Sequence, residues 1–179
     1  MRLKLFITAL AVACSLAFAA CGEENPPGPG ARPAAGGGAA PANPDAATGP
    51  MPDDGFKARL TVANPPTRLA PGEQTTLNVK VRNASTVQWP VSGRPGDGFF
   101  QVNLGDHWQD SSGKEAKIDD RIALPRSLDR GEEVEMQLPV KAPDKPGDYV
   151  LEIDMVQEGV SWFAQKGSEP LKLNIKVGK

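Results

Sequence analysis

Six stretches of the chain alternate apolar and polar residues with a period of two: 57–62, 75–82, 100–104, 133–140, 149–155 and 171–177. In the second, Leu77, Val79 and Val81 share a face; in the fifth, Tyr149, Leu151, Ile153 and Met155 do. Period two places successive side chains on opposite sides of a strand, so each stretch predicts a strand with one buried face and one in water. Between them stand pairs suited to chain reversal: Pro71-Gly72, Pro95-Gly96, Ser112-Gly113, Arg130-Gly131 and Pro146-Gly147. Proline fixes φ and glycine frees it, as turns require. No window carries a 3.6-residue apolar stripe. Many short strands with regular turns predict an all-β sandwich or barrel over residues 56–179.

Ahead of Phe56 the pattern changes. Arg2 and Lys4 precede an apolar run from Leu5 to Ala20, the layout of a secretory signal over residues 1–20. The run is short for a membrane-spanning helix. Residues 22–55 contain 8 Gly, 8 Pro and 8 Ala, with Met51 as their one large apolar side chain. Such a stretch cannot bury enough surface to offset its ordering entropy, so residues 21–55 are expected to form a disordered tether. A coil of that length has an end-to-end distance of about 30–35 Å.

Charge and cysteine content narrow the function classes. The net charge is −2, and residues 56–179 balance 17 Lys and Arg against 17 Asp and Glu. A balanced domain lacks the basic face that nucleic acid requires, so no nucleic-acid partner is expected. Both cysteines, Cys14 and Cys21, lie in the first 21 residues. The folded part therefore holds no disulfide and no cysteine-based metal site.

Phe18-Ala19-Ala20-Cys21 resembles the bacterial lipobox, with Phe18 where Leu is usual. That resemblance implies cleavage before Cys21 and attachment of diacylglyceryl and palmitate-type acyl chains to it. Two or three such chains anchor a protein stably, because each buried CH₂ contributes about 0.8 kcal/mol. Cys14, preceded by Ala11-Val12-Ala13, is a rival lipobox that leaves too short an apolar run ahead of it. A plain secretory signal is the remaining alternative. By the same resemblance, Gly22 in place of an aspartate points to the outer membrane, on its periplasmic side or surface, if the cell has two membranes.

Ala142-Pro143-Asp144-Lys145-Pro146-Gly147-Asp148-Tyr149 looks like a tyrosine corner, in which the Tyr hydroxyl bonds to backbone a few residues upstream. Further segments are Val81-Arg82-Asn83 with Trp89-Pro90, Leu104-Gly105-Asp106-His107-Trp108, Arg121-Ile122-Ala123-Leu124-Pro125 and Glu158-Gly159-Val160-Ser161-Trp162-Phe163. Together they resemble an immunoglobulin-like domain of many bacterial proteins, often appended to envelope or glycan-related enzymes. More distantly they resemble the four-tryptophan domain of an autophagy cargo receptor. The resemblance implies an antiparallel sandwich of about seven strands that contacts protein or glycan and has no catalytic residues. This chain has three tryptophans, and Val79 stands where the first of four would be.

Candidate chemistry is sparse. His107 is the sole histidine; as a general base it would need a nucleophile such as Ser161 in reach, and no G-x-S-x-G elbow is present. Glu152 and Asp154 share a strand face about 7 Å apart. That suits glycosidase carboxylates, but also the polar outer face of a half-buried strand, which is the expected reading. Asp119-Asp120 matches no calcium-loop motif. Asn83-Ala84-Ser85 is a glycosylation sequon of little weight in a protein with a bacterial lipobox. Trp89 and Tyr149 are expected to be structural, while Trp108, Trp162 and His107 are candidate ligand contacts. The expected molecule is a lipid-anchored, non-catalytic binding or assembly module of the cell envelope, without cofactor or metal. Its expected partners are the membrane and an envelope protein; the alternative is a carbohydrate-binding module facing envelope polysaccharide or peptidoglycan.

Overall fold

The computed structural model describes residues 46–179, apart from the side chains of residues 117–120. The expected signal peptide, the expected lipidation at Cys21 and the expected tether up to residue 45 lie outside the described residues. Nine strands are present among those described: β1 (Ala58–Val62), β2 (Arg68–Leu69), β3 (Gln74–Asn83), β4 (Val102–Asp110), β5 (Glu115–Ala123), β6 (Glu133–Lys141), β7 (Gly147–Gln157), β8 (Ser161–Trp162) and β9 (Leu171–Val177). Seven are long, and β2 and β8 are two residues each.

The strands form two sheets. One has the order β1-β3-β6, antiparallel throughout. The other has the order β2-β9-β7-β4-β5, with β8 also pairing β7. Its pairs are antiparallel except β2 with β9, where the chain crosses from one sheet edge to the other. Two sheets packed through their apolar faces, with the chain passing from the edge of one to the edge of the other between β1 and β2, make an immunoglobulin-like β-sandwich. The all-β expectation therefore holds.

The core follows from the alternation. Leu77, Val79 and Val81 of β3 and Met136, Leu138 and Val140 of β6 face Leu151, Ile153 and Met155 of β7 and Leu173, Ile175 and Val177 of β9, all buried. Asp106 is also fully buried, in line with Leu104 and Trp108 along β4. Phe163 plugs one end, its ring edge-on to Phe56 and Trp89 at 5.1 Å from each. Asn83, the sequon residue, is wholly buried; its amide donates to the carbonyls of Val87 and Leu128 and its oxygen accepts from Ser85.

The folded part starts earlier than residue 56. Ala46 bridges to Ser92 in parallel. The Met51 N–H donates to Gln157 Oε1 at 3.0 Å, and the Met51 side chain packs against the core. Gly55 gives its carbonyl to Trp89 Nε1 at 2.9 Å. Residues 46–55 thus belong to the domain and not to the tether. Met51 supplies the apolar anchor and Gln157 satisfies the backbone around it, which offsets the ordering cost that composition alone predicts to prevail.

Candidate functional site

The outer face of the second sheet carries most of the residues singled out in the sequence. Register sets three cross-strand rows. Lys172 of β9 lies beside Glu152 of β7, which lies beside His107 of β4. One row on, Asp154 lies beside Gly105, which pairs Arg121 of β5. In the next, Trp162 of β8 lies beside Val156, and Val156 beside Asn103.

The middle row is incomplete, because the last strand position is interrupted. β8 pairs β7 at Val156 and β9 resumes at Ile153, so Asp154 and Met155 face an excursion over residues 163–170. Side-chain and backbone groups replace the missing ladder. Phe163 N–H donates to the Met155 carbonyl at 2.9 Å. The Asp154 carboxylate accepts from Ala164 N–H and from Met155 N–H, each at 2.8 Å. Burial pushes the Asp154 carboxyl up to about 6; the two N–H donors pull it down and nearby Glu152 adds to the rise.

Trp162 points outward from this excursion while Phe163 points inward. The indole reaches across β7 onto β4, where Gly105 leaves room. A Cβ on Gly105 would lie 2.9 Å from Trp162 Cη2 and 3.1 Å from Arg121 Cγ. The Arg121 guanidinium covers the ring, its Cζ 4.8 Å from the centroid, and is held by Glu158 at 2.8 Å. His107 meets the ring edge-on, centroids 5.5 Å apart. Glu152 Oε2 pairs with Lys172 Nζ at 2.8 Å and its Oε1 lies 3.4 Å from His107 Nε2. Trp162, His107, Glu152 and Asp154, together with Glu115, Ala164 and Gln165, line a cleft of about 200 Å³.

The fold separates the candidates read from the sequence. His107 and Trp162 come together in the cleft. Trp108 does not join them: it is fully buried, edge-on to Tyr149 with centroids 6.2 Å apart, and offers no surface to a ligand. Its strand parity turns it inward, with Leu104, and this corrects its reading as a contact. Trp89 is likewise fully buried. Tyr149 donates its hydroxyl to the Lys145 carbonyl at 3.0 Å, the geometry of a tyrosine corner. Glu152 and Asp154 share a face but do not stand in water; they are 7% and 1% exposed, Asp154 held against Ala164 of the excursion and Glu152 between Lys172 and His107. Both carboxylates are engaged, Asp154 with backbone and Glu152 with Lys172 and His107. Ser161 hydrogen-bonds Gln165 Oε1 at 3.0 Å. Gly105, Arg121 and Gln165 join the site without having been singled out for it in the sequence; the signal for Gly105 is a glycine inside an alternating strand, which marks close approach of another group. Among the described residues no group of three or more His, Cys, Asp or Glu is placed to hold a metal ion, and no helix is long and apolar enough to cross a membrane.

No protein-family model matches the chain, and no curated protein matches it. Solved structures show weak likeness. A β-glucosidase from Listeria innocua, determined with glucose, has a TM-score of 0.44 at 15% identity; the match covers 69% of this chain and 16% of the enzyme. The CARDB domain of a Pyrococcus furiosus protein, determined with di-metal ions, has a TM-score of 0.42 at 11% identity, covering 68% of this chain and 91% of that domain. A cycloisomaltooligosaccharide glucanotransferase from Paenibacillus sp. reaches 0.37 at 16% identity, with 66% and 13% covered. The chain thus spans about one sixth of the length of the β-glucosidase.

Proposed function

We propose that the chain is a membrane-anchored, non-catalytic binding or assembly module of the bacterial cell envelope, and that it contacts a partner protein through the Trp162 cleft. One observation carries this reading: a half-buried tryptophan, laid on a glycine and walled by His107 and Arg121, lines an open cleft. Aromatic side chains fixed in this way are the usual anchors of interfaces. The neighbouring carboxylates have structural work, which supports a binding role over acid–base chemistry. The membrane anchor rests on the lipobox residues at Cys21. A carbohydrate ligand is the second reading, favoured by the aromatic side chain of Trp162 in the wall of the cleft.

The test uses the full chain beside its Trp162→Ala variant, both checked for folding. A protein retained from envelope extract by the first and lost by the second supports the main reading. A saturable change in Trp fluorescence with glycans, and no protein capture, replaces it with the second. Capture that ignores Trp162 refutes the assignment of the cleft. Separately, Cys21→Ser should release the chain from membranes; continued retention refutes the anchor.

A further inference from the structure

The loop between β3 and β4 is built around an aromatic side chain that the core does not use. Among the described residues Phe99 is the large apolar side chain that stands exposed, at 40%. The loop that presents it is tightly tied. Arg94 N–H donates to the Phe99 carbonyl at 2.7 Å, and Gly98 N–H to the Arg94 carbonyl at 3.0 Å. Asp97 accepts from Phe99 N–H at 3.0 Å and from Arg94 Nε. The Arg94 guanidinium lies over both Phe99 and Phe100, at 5.1 and 5.5 Å from their centroids. Phe100 takes a φ of 72°, unfavourable for a bulky L-residue. Gly159, on the neighbouring β7–β8 turn, makes room for the Phe99 ring, since a Cβ there would fall 2.1 Å from Phe99 Cδ1. The backbone thus bears strain beside an apolar ring held partly in water, and such strain clusters at ligand clamps and functional sites.

The place of this loop selects its occupant. Ala46 bridges Ser92, and Ala47 N–H donates to the Ser92 carbonyl at 2.9 Å, so the chain enters the domain beside the loop. Twenty-four residues separate that point from Cys21. If Cys21 is the anchor, the chain that leads from it joins the domain on the side of the 93–99 loop. Residues 91–101 carry one cation and one anion, Arg94 and Asp97, paired with each other. Such a loop meets no net repulsion at a lipid surface, and its Arg and Phe match the two layers of an interface: guanidinium for phosphate, ring for the acyl boundary.

We propose that the 93–99 loop is a membrane-contact site, laying Phe99 into the interfacial region of the bilayer that carries the chain's own anchor, with Arg94 at the lipid phosphates. The proposal rests on the anchor reading and goes beyond it, since a tether alone leaves the orientation of the domain unset. The experiment places the full, lipid-processed chain and its Phe99→Trp variant on vesicles of phosphatidylethanolamine and phosphatidylglycerol, with and without brominated acyl chains. The emission added by the new tryptophan is expected to lie to the blue of its position in detergent and to be lost with brominated lipid. In wild type, hydrogen exchange of the peptide over residues 91–101 is expected to slow on vesicles relative to detergent. A vesicle-bound chain whose added emission ignores bromine, and whose 91–101 exchange is unchanged, overturns the proposal and leaves the anchor standing. A chain without diacylglycerol on Cys21, or one that does not stay with vesicles, overturns both.

Discussion

Replacing Asp154 by Asn keeps the shape of the side chain and removes its charge, which isolates the contribution of one buried carboxylate. Asp154 is 1% exposed, and burial raises its carboxyl to about 6. The ordinary value, about 3.9, applies in the unfolded chain. A difference of about two units corresponds to about 3 kcal/mol of pH-dependent stability. The sign follows from which state holds the proton more tightly. Here the folded state does, so the contribution is fully present below about pH 4 and lost as pH rises from about 4 to 6. Wild type should therefore lose up to about 3 kcal/mol relative to Asp154→Asn over that window, and the difference should be flat above about pH 7. His107, Glu152, Lys172, Glu115 and Arg121 flank the site and are common to both proteins, so to first order they cancel. Urea unfolding of the full chain, followed by tryptophan emission at pH 4 to 8, gives both curves. Parallel curves would refute the burial argument. A wild type that gains on the variant as pH rises would mean that the Ala164 and Met155 N–H groups outweigh desolvation.

Trp108 and Trp162 should separate in stability. Trp108→Ala is expected to cost about 3–5 kcal/mol, as for a fully buried aromatic, and Trp162→Ala about 1–2 kcal/mol, as for one half in water; equal costs in chemical denaturation would contradict their assignment to core and surface. Tyr149→Phe removes the bond to Lys145 and should cost about 1 kcal/mol by the same assay, with no loss meaning that the corner is held by packing alone. Gly159→Ala forces a side chain into a left-handed position and against Phe99, so a loss of about 1–2 kcal/mol is expected, together with a shift in the NMR signals of residues 93–100; unshifted signals would mean that Phe99 is not packed on that turn.

The long strands were legible because their two faces differ. Leu77, Val79 and Val81 alternate with Thr76, Asn78 and Lys80, and no other periodicity fits. β5 was not legible as a strand. Its pairing with β4 shifts register between Gly105 and His107, so Asp119 and Asp120 together oppose Asp106 and the alternation breaks. β8 is too short to show any period. The start of the folded part was read too late because Met51 is a single apolar residue among prolines and glycines, and its partner Gln157 lies more than 100 residues away. The same kind of distance hid the state of Glu152 and Asp154. Alternation correctly puts them on the outer face; what closes over Asp154 is an excursion that only the fold brings there, and Glu152 is enclosed by cross-strand partners, Lys172 and His107.

That excursion links site and core. Had the last strand run unbroken along β7, Trp162 and Phe163 would still have alternated outward and inward. Asp154, however, would have met a ladder neighbour, and the outer face would have stayed flat. Residues 163–170 instead leave the sheet, and three replacements close the gap. Phe163 enters the core between Phe56 and Trp89. Asp154 holds Ala164. Ser168 offers its hydroxyl oxygen to the Ala58 N–H at 3.0 Å, fastening the excursion to β1 of the opposite sheet. Trp162 is therefore positioned from both sides: by Gly105 beneath its ring and by a neighbour locked into the interior. In the proposed binding role, a side chain fixed in this way has little rotamer freedom to lose on association, which lowers its entropic cost. It also means that a partner displacing Trp162 must work against the packing of Phe163, so contact at the cleft should stiffen the β1 and β8 edges together.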